Sequence, residues 1–194
     1  DEWEKFDEHQ RSYHTKQWNE QKDSTLAFYD FVKHKLSETN SIIDLGAGAG
    51  AATSYIATKA PKVSIVAADY VNDYLEIGKS LAKAKGIENL SFRQVDWYQL
   101  QETNEFDGVI SLQTLSWLPD FRTPLEKVFI NLKPKWIALT SLFYEGDISC
   151  TIEVLEHTNS RKSFYNIYSL PELQRIANKN GYRLTKCEKF EMSF

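Results

Sequence analysis

A glycine-rich loop preceded by an acidic residue is the strongest sign of ligand binding in this sequence. The segment Asp44–Gly50, with the sequence DLGAGAG, contains both the acid and the loop and follows the apolar residues Ile42 and Ile43. Alternating glycines let the backbone turn tightly and approach a ligand closely. A helix that begins directly after such a loop offers free N–H groups to an anionic group. The pattern therefore predicts a ligand site where a strand passes into a helix.

Two more acidic residues end the next two apolar runs. Asp69 ends the second run and Asp96 ends the third. The carboxyl ends of parallel strands share one edge of a sheet, where doubly wound folds bind ligands. A carboxylate at Asp69 can accept hydrogen bonds from two ribose hydroxyls, and Tyr70 beside it can pack on an adenine. Asp96 suits the amino group of the same base, with Trp97 as an aromatic neighbour.

Two ligands fit this pattern. The loop agrees with the G-x-G-x-x-A pattern of a dinucleotide fold and with the acid-x-G-x-G-x-G pattern of S-adenosylmethionine sites. Asp69 fits either ligand, because both carry a ribose. A carboxylate at Asp44 would repel a pyrophosphate but suits a ligand that carries an ammonium group, which favours S-adenosylmethionine.

Apolar runs and helical patterns alternate along the chain. The apolar runs predict five strands, at 42–45, 63–68, 90–95, 106–112 and 136–142. Helical spacing and stop signals predict helices before and between them, over about 24–36, 51–59, 72–85 and 125–132. This alternation predicts an α/β fold with a doubly wound, mostly parallel sheet and helices on both faces.

The segment after the fifth strand has a different pattern. Residues 144–168 alternate apolar and polar side chains and are longer than a connection usually needs, so we expect an inserted β-hairpin. A capping box that begins at Ser169 predicts a final helix ending at Gly181. Residues 182–190 follow as a predicted last strand.

Charge and composition exclude several classes of protein. The 194 residues include 23 Lys and Arg and 27 Asp and Glu, a net charge of −4 that disfavours nucleic acid as a partner. No apolar stretch approaches the roughly 20 residues of a membrane span, and the acidic start is unlike a signal peptide. Cys150 and Cys187 lack metal-ligand spacing, so we expect no metal and predict buried, reduced thiols in a cytoplasmic protein.

Taken together, these features resemble the class I S-adenosylmethionine-dependent methyltransferases, over about residues 24–143 plus the final helix and strand. The matching segments are the glycine loop, Val66–Tyr70, Gln94–Trp97 and Phe106–Gln113. The resemblance implies a Rossmann-like methyltransferase fold and in-line transfer of a methyl group. The family's sheet closes with an antiparallel strand pair after the last helix. Because only one strand is predicted there, we expect that pair to be incomplete in this chain. Either its second strand lies beyond residue 194, which we favour, or the sheet has an unusual edge.

The resemblance also implies the site residues and a division of the chain. Gly46 and Gly48 would flank the methionine part of the cofactor, and Gln113 would lie near its sulfonium. The expected cofactor-binding residues are Asp44, Gly46, Ala47, Gly48, Asp69, Tyr70, Asp96, Trp97 and Gln113. We interpret residues 1–194 as a single methyltransferase domain, divided into a helical N-terminal lid (1–23), a cofactor-binding core (24–143), an acceptor-side insertion (144–168) and a final helix and strand (169–194).

The methyl acceptor is less sharply indicated. Aromatic residues cluster before the core and after the fifth strand, where they could enclose a small molecule or simply pack on the core. We expect a hydroxyl or amine of a natural-product or sugar-like acceptor, while a protein acceptor stays open. The expected acceptor-side residues are Trp18, Trp117, Tyr144, Tyr165 and Tyr168. The candidates for a catalytic group are His157, Glu153 and Tyr168.

Two other classes of protein stay open. One is an S-adenosylmethionine-binding subunit without activity, although the intact glycine loop and three acids argue against a loss of cofactor binding. The other is an NAD(P)-dependent oxidoreductase, which predicts a Tyr-x-x-x-Lys pair. Tyr74, after the second apolar run, is followed four residues later by Gly78, so this position does not supply the pair.

Overall fold

A five-stranded parallel sheet forms the centre of the protein in a computed structural model, which describes residues 8–157 and 161–190. The strands are β1 (Ser41–Leu45), β2 (Ser64–Asp69), β3 (Leu90–Gln94), β4 (Gly108–Leu112) and β5 (Trp136–Thr140). They lie side by side in the order β3-β2-β1-β4-β5, and all four pairings are parallel. The chain reverses its direction of winding between β1 and β4, which is where doubly wound sheets bind ligands.

Helices cover both faces of the sheet because successive strand residues point to opposite sides. The helices are α1 (Glu8–Gln17), α2 (Asp23–Leu36), α3 (Ala51–Lys59), α4 (Asn72–Ala84), α5 (Arg122–Lys127) and α6 (Leu170–Lys179). On β1, Ile42 packs in a core with residues of α2, α3 and α4, whereas Ile43 and Leu45 pack in a second core with residues of α5 and α6. The predicted α/β fold is confirmed.

The segment after β5 forms two small strand pairs. The first joins β6 (Phe143–Tyr144) to β9 (Tyr168–Ser169) in parallel. The second joins β7 (Glu153–Glu156) to β8 (Arg161–Phe164) in antiparallel and confirms the inserted hairpin. Its strands are shorter than predicted, since Cys150 and Ile167 form only an isolated bridge.

Two predictions about the remaining residues are wrong. Residues 183–190 form no strand, because none of the described strands pairs with them to complete a ladder. Tyr182 instead packs on Phe129, and its hydroxyl donates to the carbonyl of Pro134 at 2.8 Å. Cys150 and Cys187 are both exposed free thiols, not buried ones. Among the described residues, no helix has both the length and the apolar character to span a bilayer.

Candidate functional site

A cavity of about 940 Å³ lies where the carboxyl ends of β1 to β4 meet. Ligand pockets in proteins commonly have volumes of about 300–1,000 Å³, so this one is large enough for an extended ligand. Most of the site residues predicted from the sequence line it: Asp44, Gly46, Ala47, Gly48, Asp69, Tyr70, Asp96, Trp97, Gln113, Trp117 and Tyr165. No group of three or more His, Cys, Asp or Glu side chains suited to a metal occurs in the described part of the chain.

The glycine loop, residues 46–50, has a backbone conformation that few side chains permit. Gly46 and Gly48 have φ values of +75° and +57°, in the left-handed region that favours glycine. A Cβ atom on Gly46 would also collide with the side chain of Thr114. Immediately after the loop, α3 begins without a side-chain cap at Gly50. The loop can therefore approach a ligand with its backbone.

Asp69 connects the end of β2 to the glycine loop. Its Oδ2 accepts a hydrogen bond from the N–H of Gly48 at 2.7 Å, and its Oδ1 accepts one from the N–H of Val71 at 2.9 Å. Burial raises the pKa of this carboxyl, and its backbone donors oppose that rise. A carboxylate offers about four acceptor positions. Asp69 can therefore accept hydrogen bonds from a ligand as well as from the loop.

Asp44 is a buried carboxyl group with one oxygen unused. Its side chain is 2% exposed, and its Oδ2 accepts a hydrogen bond from the hydroxyl of Thr53 at 2.6 Å. Its Oδ1 is also buried and has no hydrogen-bond partner among the described residues. Burial raises the pKa of Asp44 to about 7, and the nearby charge of Asp69 adds to that rise.

The unused oxygen of Asp44 tests which ligand fits the site. A buried acceptor without a partner costs roughly 1–3 kcal/mol, and a positively charged donor beside it would remove that cost. The ammonium group of S-adenosylmethionine is such a donor. A pyrophosphate would instead bring negative charge towards two buried carboxyls, so the site fits S-adenosylmethionine better than a dinucleotide.

The end of β3 supplies polar groups and a mostly buried aromatic residue to the cavity. The two oxygens of Asp96 accept hydrogen bonds from the N–H of Tyr98 at 2.9 Å and from the amide of Gln99 at 2.8 Å. The indole ring of Trp97 is buried, and its Nε1 donates to the carbonyl of Pro124 at 3.0 Å. Trp97 lines the cavity with little of its side chain exposed, and its packing on an adenine stays a prediction. Tyr70, which is 37% exposed on the cavity wall, offers a more accessible aromatic ring.

Gln113 follows β4 in a left-handed backbone conformation, with φ +64°. Its N–H donates to the carbonyl of Thr140 at 2.9 Å, which fixes it against the end of β5. Non-glycine residues in this region cost free energy and cluster at functional sites. The conformation of Gln113 supports a place in the binding site.

Trp117 and Tyr165 form an aromatic pair on the β4 side of the cavity. Their rings are 5.5 Å apart and nearly perpendicular, and both side chains are about half-exposed. Trp117 directly follows the buried Ser116, and Tyr165 directly precedes the buried Asn166. The N–H of Asn166 donates to the carbonyl of Ser116 at 2.8 Å, which joins the two sides of the pair.

The side chain of Asn166 is fully buried and strengthens that connection. Its amide donates to the carbonyl of Leu118 at 2.6 Å and to the hydroxyl of Tyr168 at 2.9 Å. Its Oδ1 accepts from the N–H of Ile152 at 3.0 Å. The hydroxyl of Tyr168 in turn donates to the carbonyl of Leu115 at 3.0 Å. This network fixes the turn that carries Trp117 against the insertion that carries Tyr165.

Tyr168 and Trp18 were expected to contact the acceptor, and both expectations are wrong. Tyr168 is 2% exposed and its hydroxyl belongs to the buried network. Trp18 is 3% exposed, and its Nε1 donates to the carbonyl of Ala49 at 2.9 Å. Both side chains stabilise the walls of the cavity from behind instead of lining it.

Three further candidates also lie away from the cavity wall. The hydroxyl of Tyr144 donates to the carbonyl of Ile148 within the insertion. Glu153 pairs with Lys162 at 3.1 Å across the hairpin. His157 is exposed at the end of β7. None of the three is among the residues that line the cavity, so the structure does not support their predicted places in the acceptor site, and the catalytic roles of Glu153 and His157 stay predictions.

The sequence analysis missed the cavity residues that α1 provides. The ring of His14 lies 4.3 Å from that of Tyr74 and also faces Gly48. Burial lowers the pKa of His14 to about 4, and the charge of Lys22 contributes, so the imidazole is neutral at pH 7. Gln17, one turn further along the helix, also lines the cavity. His14 and Gln17 are three residues apart, which places them on one face of a helix and could have signalled a shared site. The helix is mostly polar, however, so its sequence does not show which face packs against the rest of the protein.

The fold and the site together define a nucleoside-binding protein of the Rossmann-like methyltransferase type. Three features meet at the switch point of the sheet: the glycine loop, Asp69, which suits a ribose, and Asp44, which suits an ammonium group.

Comparison with known proteins agrees with this class. A family model described as a methyltransferase domain matches residues 36–187, well over half of the chain. The chain therefore belongs to that family, and its resemblance to the class I S-adenosylmethionine-dependent methyltransferases is confirmed. This assignment favours methyl transfer over the oxidoreductase alternative.

Individual relatives match over parts of their length. The chain is 27% identical over 169 residues to a malonyl-(acyl-carrier protein) O-methyltransferase of Priestia megaterium, which covers 79% of this chain and 60% of the relative. It is 35% identical over 81 residues to a release factor glutamine methyltransferase of Aliivibrio fischeri, covering 41% of this chain and 28% of the relative. The chain thus spans less than two thirds of the length of each of these curated relatives.

A solved structure shows the same fold. It is the O-methyltransferase from a trans-AT PKS multienzyme of Brevibacillus brevis in complex with S-adenosyl-L-homocysteine. It superposes with a TM-score of 0.61 at 13% identity, over 80% of this chain and 50% of the other.

Proposed function

We propose that this protein binds S-adenosylmethionine at the carboxyl ends of β1 to β3 and transfers its methyl group to a small molecule on the β4 side. The observation that carries the proposal is the buried, unpartnered Oδ1 of Asp44 beside the glycine loop. The ammonium group of the cofactor supplies the missing donor.

The order of the strands supports an extended cofactor along this edge. Asp96 and Gly46 follow β3 and β1, and Asp69 ends β2, which lies between those two strands in the sheet. Neighbouring strands lie about 4.8 Å apart, so these residues span roughly 10 Å. Asp96 would hold the adenine, Asp69 the ribose and Asp44 the ammonium group. Gln113 and Trp117 follow β4, the next strand along, which leaves that side of the cavity for the acceptor.

Within this arrangement, the protein contributes binding, orientation and exclusion of water. The bound cofactor supplies an electrophilic methyl group on its sulfonium. Asp69 fixes the glycine loop through Gly48, and the buried network around Asn166 fixes the acceptor wall. Positioning of two reactants in this way can lower a barrier by about 7–11 kcal/mol.

The acceptor side supports a small molecule with an apolar part. The rings of Trp117 and Tyr165 line it together with the side chains of Leu112, Leu118 and Pro119. A hydroxyl or amine on such a molecule is the proposed nucleophile. Since two of the relatives are named for acyl-carrier protein and release factor, a protein acceptor is the second outcome that the experiment must distinguish.

Calorimetry followed by a transfer assay tests this function. We expect S-adenosylhomocysteine to bind with a stoichiometry of one and NAD⁺ to give no heat. With S-adenosylmethionine labelled on its methyl group, label should enter a panel of phenols and amines, not acyl-carrier protein or a release factor. Label in a protein would overturn the small-molecule acceptor. Cofactor binding without transfer to any acceptor would favour a binding subunit without activity.

A further inference from the structure

We propose that Gln17 of α1 and Asp44 of β1 together bind the amino-acid end of the cofactor. The side-chain amide of Gln17 donates to the carboxylate of the cofactor, and the carboxylate of Asp44 accepts from its ammonium group. This inference rests on the proposed function and assigns a new role to the N-terminal helix. In it, α1 supplies a direct ligand contact and does more than cover the cavity.

The first observation is a pair of unpartnered polar atoms. Among the described residues, the buried side-chain nitrogen and oxygen atoms without a hydrogen-bond partner are Nε2 of Gln17 and Oδ1 of Asp44. Both residues line the same cavity. Native proteins pair nearly all buried polar atoms, and exceptions point to a missing partner. One of these atoms is a donor and the other an acceptor, so they call for a ligand that offers both an acceptor and a donor.

The second observation places Gln17 over the glycine loop. His14 faces Gly48, and the indole Nε1 of Trp18 donates to the carbonyl of Ala49 at 2.9 Å. Gln17 lies between these residues on the same helical face, since residues three apart on a helix are neighbours. Asp44 lies in β1, two residues before the loop. The donor of Gln17 and the acceptor of Asp44 thus belong to the same cavity as the loop.

The chemistry of an α-amino acid matches this arrangement. Its ammonium group donates hydrogen bonds, its carboxylate accepts them, and the two groups are joined through one carbon atom. A neutral amide binds a carboxylate without the desolvation cost of a buried lysine or arginine. It also adds no positive charge beside a cationic cofactor. Gln17 therefore satisfies the carboxylate, while Asp44 satisfies the ammonium group.

Ligands that lack one or both groups test the proposal. The probes are S-adenosylhomocysteine, its decarboxylated form and 5′-methylthioadenosine, which lacks the whole amino-acid end, all measured by calorimetry. Gln17→Leu should weaken S-adenosylhomocysteine about 5- to 50-fold and leave the other two within about twofold. Asp44→Asn should weaken the first two probes and spare 5′-methylthioadenosine. Gln17→Glu should weaken S-adenosylhomocysteine further, because it sets two carboxylates against each other.

Gln101→Leu is the matched control, because Gln101 is exposed and its amide donates to the carbonyl of Gln99, outside the cavity. It should change no affinity. Equal weakening of all three probes by Gln17→Leu would indicate a structural role and overturn the proposal, as would unchanged affinity for S-adenosylhomocysteine. If the wild type binds 5′-methylthioadenosine as tightly as S-adenosylhomocysteine, the amino-acid subsite is refuted and the proposed function survives. If it binds none of the probes, the proposed function itself fails.

Discussion

Asp44 combines a structural cost with a functional gain. Its carboxyl is buried with one oxygen unpartnered, and its pKa is raised to about 7. In an unfolded chain the pKa of an aspartate is about 3.9. The folded protein therefore binds the proton more tightly, and ionisation of Asp44 opposes folding as the pH rises from about 4 to 7. A cationic ligand reverses this preference, because it favours the ionised form.

This pKa predicts how cofactor affinity depends on pH. S-adenosylhomocysteine carries its ammonium group throughout the range from pH 5.5 to 8.5, and it binds best when Asp44 is ionised. The affinity should rise by up to about tenfold per pH unit below pH 7 and level off above pH 8. Asp69, whose pKa is also raised, adds to the slope, whereas His14 is neutral above pH 5. Calorimetry across this range measures the profile, and Asp44→Asn should flatten it. An identical slope in that variant would assign the titration to another group.

The backbone of the glycine loop gives a second prediction at this scale. Gly48→Val should abolish binding of S-adenosylhomocysteine, because Gly48 has φ +57° and its Cβ would project towards the ring of His14 at 3.0 Å. Gly86→Val is the matched control. Gly86 has a similar φ of +65° but open space around its Cβ. Both variants should lose stability, since a β-branched residue is strained there, and only Gly48→Val should lose the ligand. Loss of binding in both would mean that strain alone explains the effect.

Sequence alone located the residues that follow the strands and missed those from the N-terminal helix. The glycine loop, Asp44, Asp69 and Asp96 lie at predicted strand ends. A parallel sheet brings the carboxyl ends of its strands to one edge, so their proximity follows from the strand pattern alone. His14 and Gln17 reach the site only because α1 packs on α3 and α4. That packing depends on partners distant in sequence, and no local pattern specifies it.

At the scale of elements, the insertion after β5 carries both a cavity wall and the network that holds it. Tyr168→Phe removes the hydroxyl that donates to Leu115 and accepts from Asn166. The free energy of unfolding should fall by about 1–3 kcal/mol, because buried polar atoms lose a partner. Denaturant unfolding measures this loss. Tyr29→Phe, which changes a partly buried tyrosine on α2, is the control and should have little effect.

The same variant separates the acceptor wall from the cofactor site. The network lies on the β4 side, so Tyr168→Phe should leave the affinity for S-adenosylhomocysteine within about twofold. A large loss of cofactor affinity would show that the two sides of the cavity are not independent. It would contradict the division proposed for them.

Aromatic residues also show where sequence reasoning about elements stops. Trp18, Trp117, Tyr165 and Tyr168 occur in similar polar and apolar surroundings in the sequence. Only Trp117 and Tyr165 face the cavity. The ring of each of the other two completes a core, and its polar atom bonds to a backbone carbonyl. The predicted last strand, 182–190, failed for a related reason: a strand pattern needs a partner strand, and none of the described strands supplies one.

At the scale of the whole molecule, the cofactor should stabilise the fold. Asp44 and Asp69 are buried carboxyls in one cavity, and the ammonium group of a bound ligand reduces their repulsion. At 100 times its dissociation constant, a ligand that binds only the folded state adds about 2.7 kcal/mol. For a domain of this size that gain corresponds to a rise in Tm of about 5–10 °C. A thermal scan with S-adenosylhomocysteine measures it, and NAD⁺ at the same concentration should give no shift.

Calorimetric titration of S-adenosylhomocysteine into the wild type and into Asp69→Ala tests the central claim most directly. Asp69 accepts from the glycine loop and faces the cavity at the end of β2. The wild type should bind one molecule, and Asp69→Ala should weaken binding by about 1.5–3 kcal/mol while circular dichroism stays unchanged. Absence of heat from the folded wild type, or equal affinity in the two proteins, would contradict a cofactor site at this edge of the sheet.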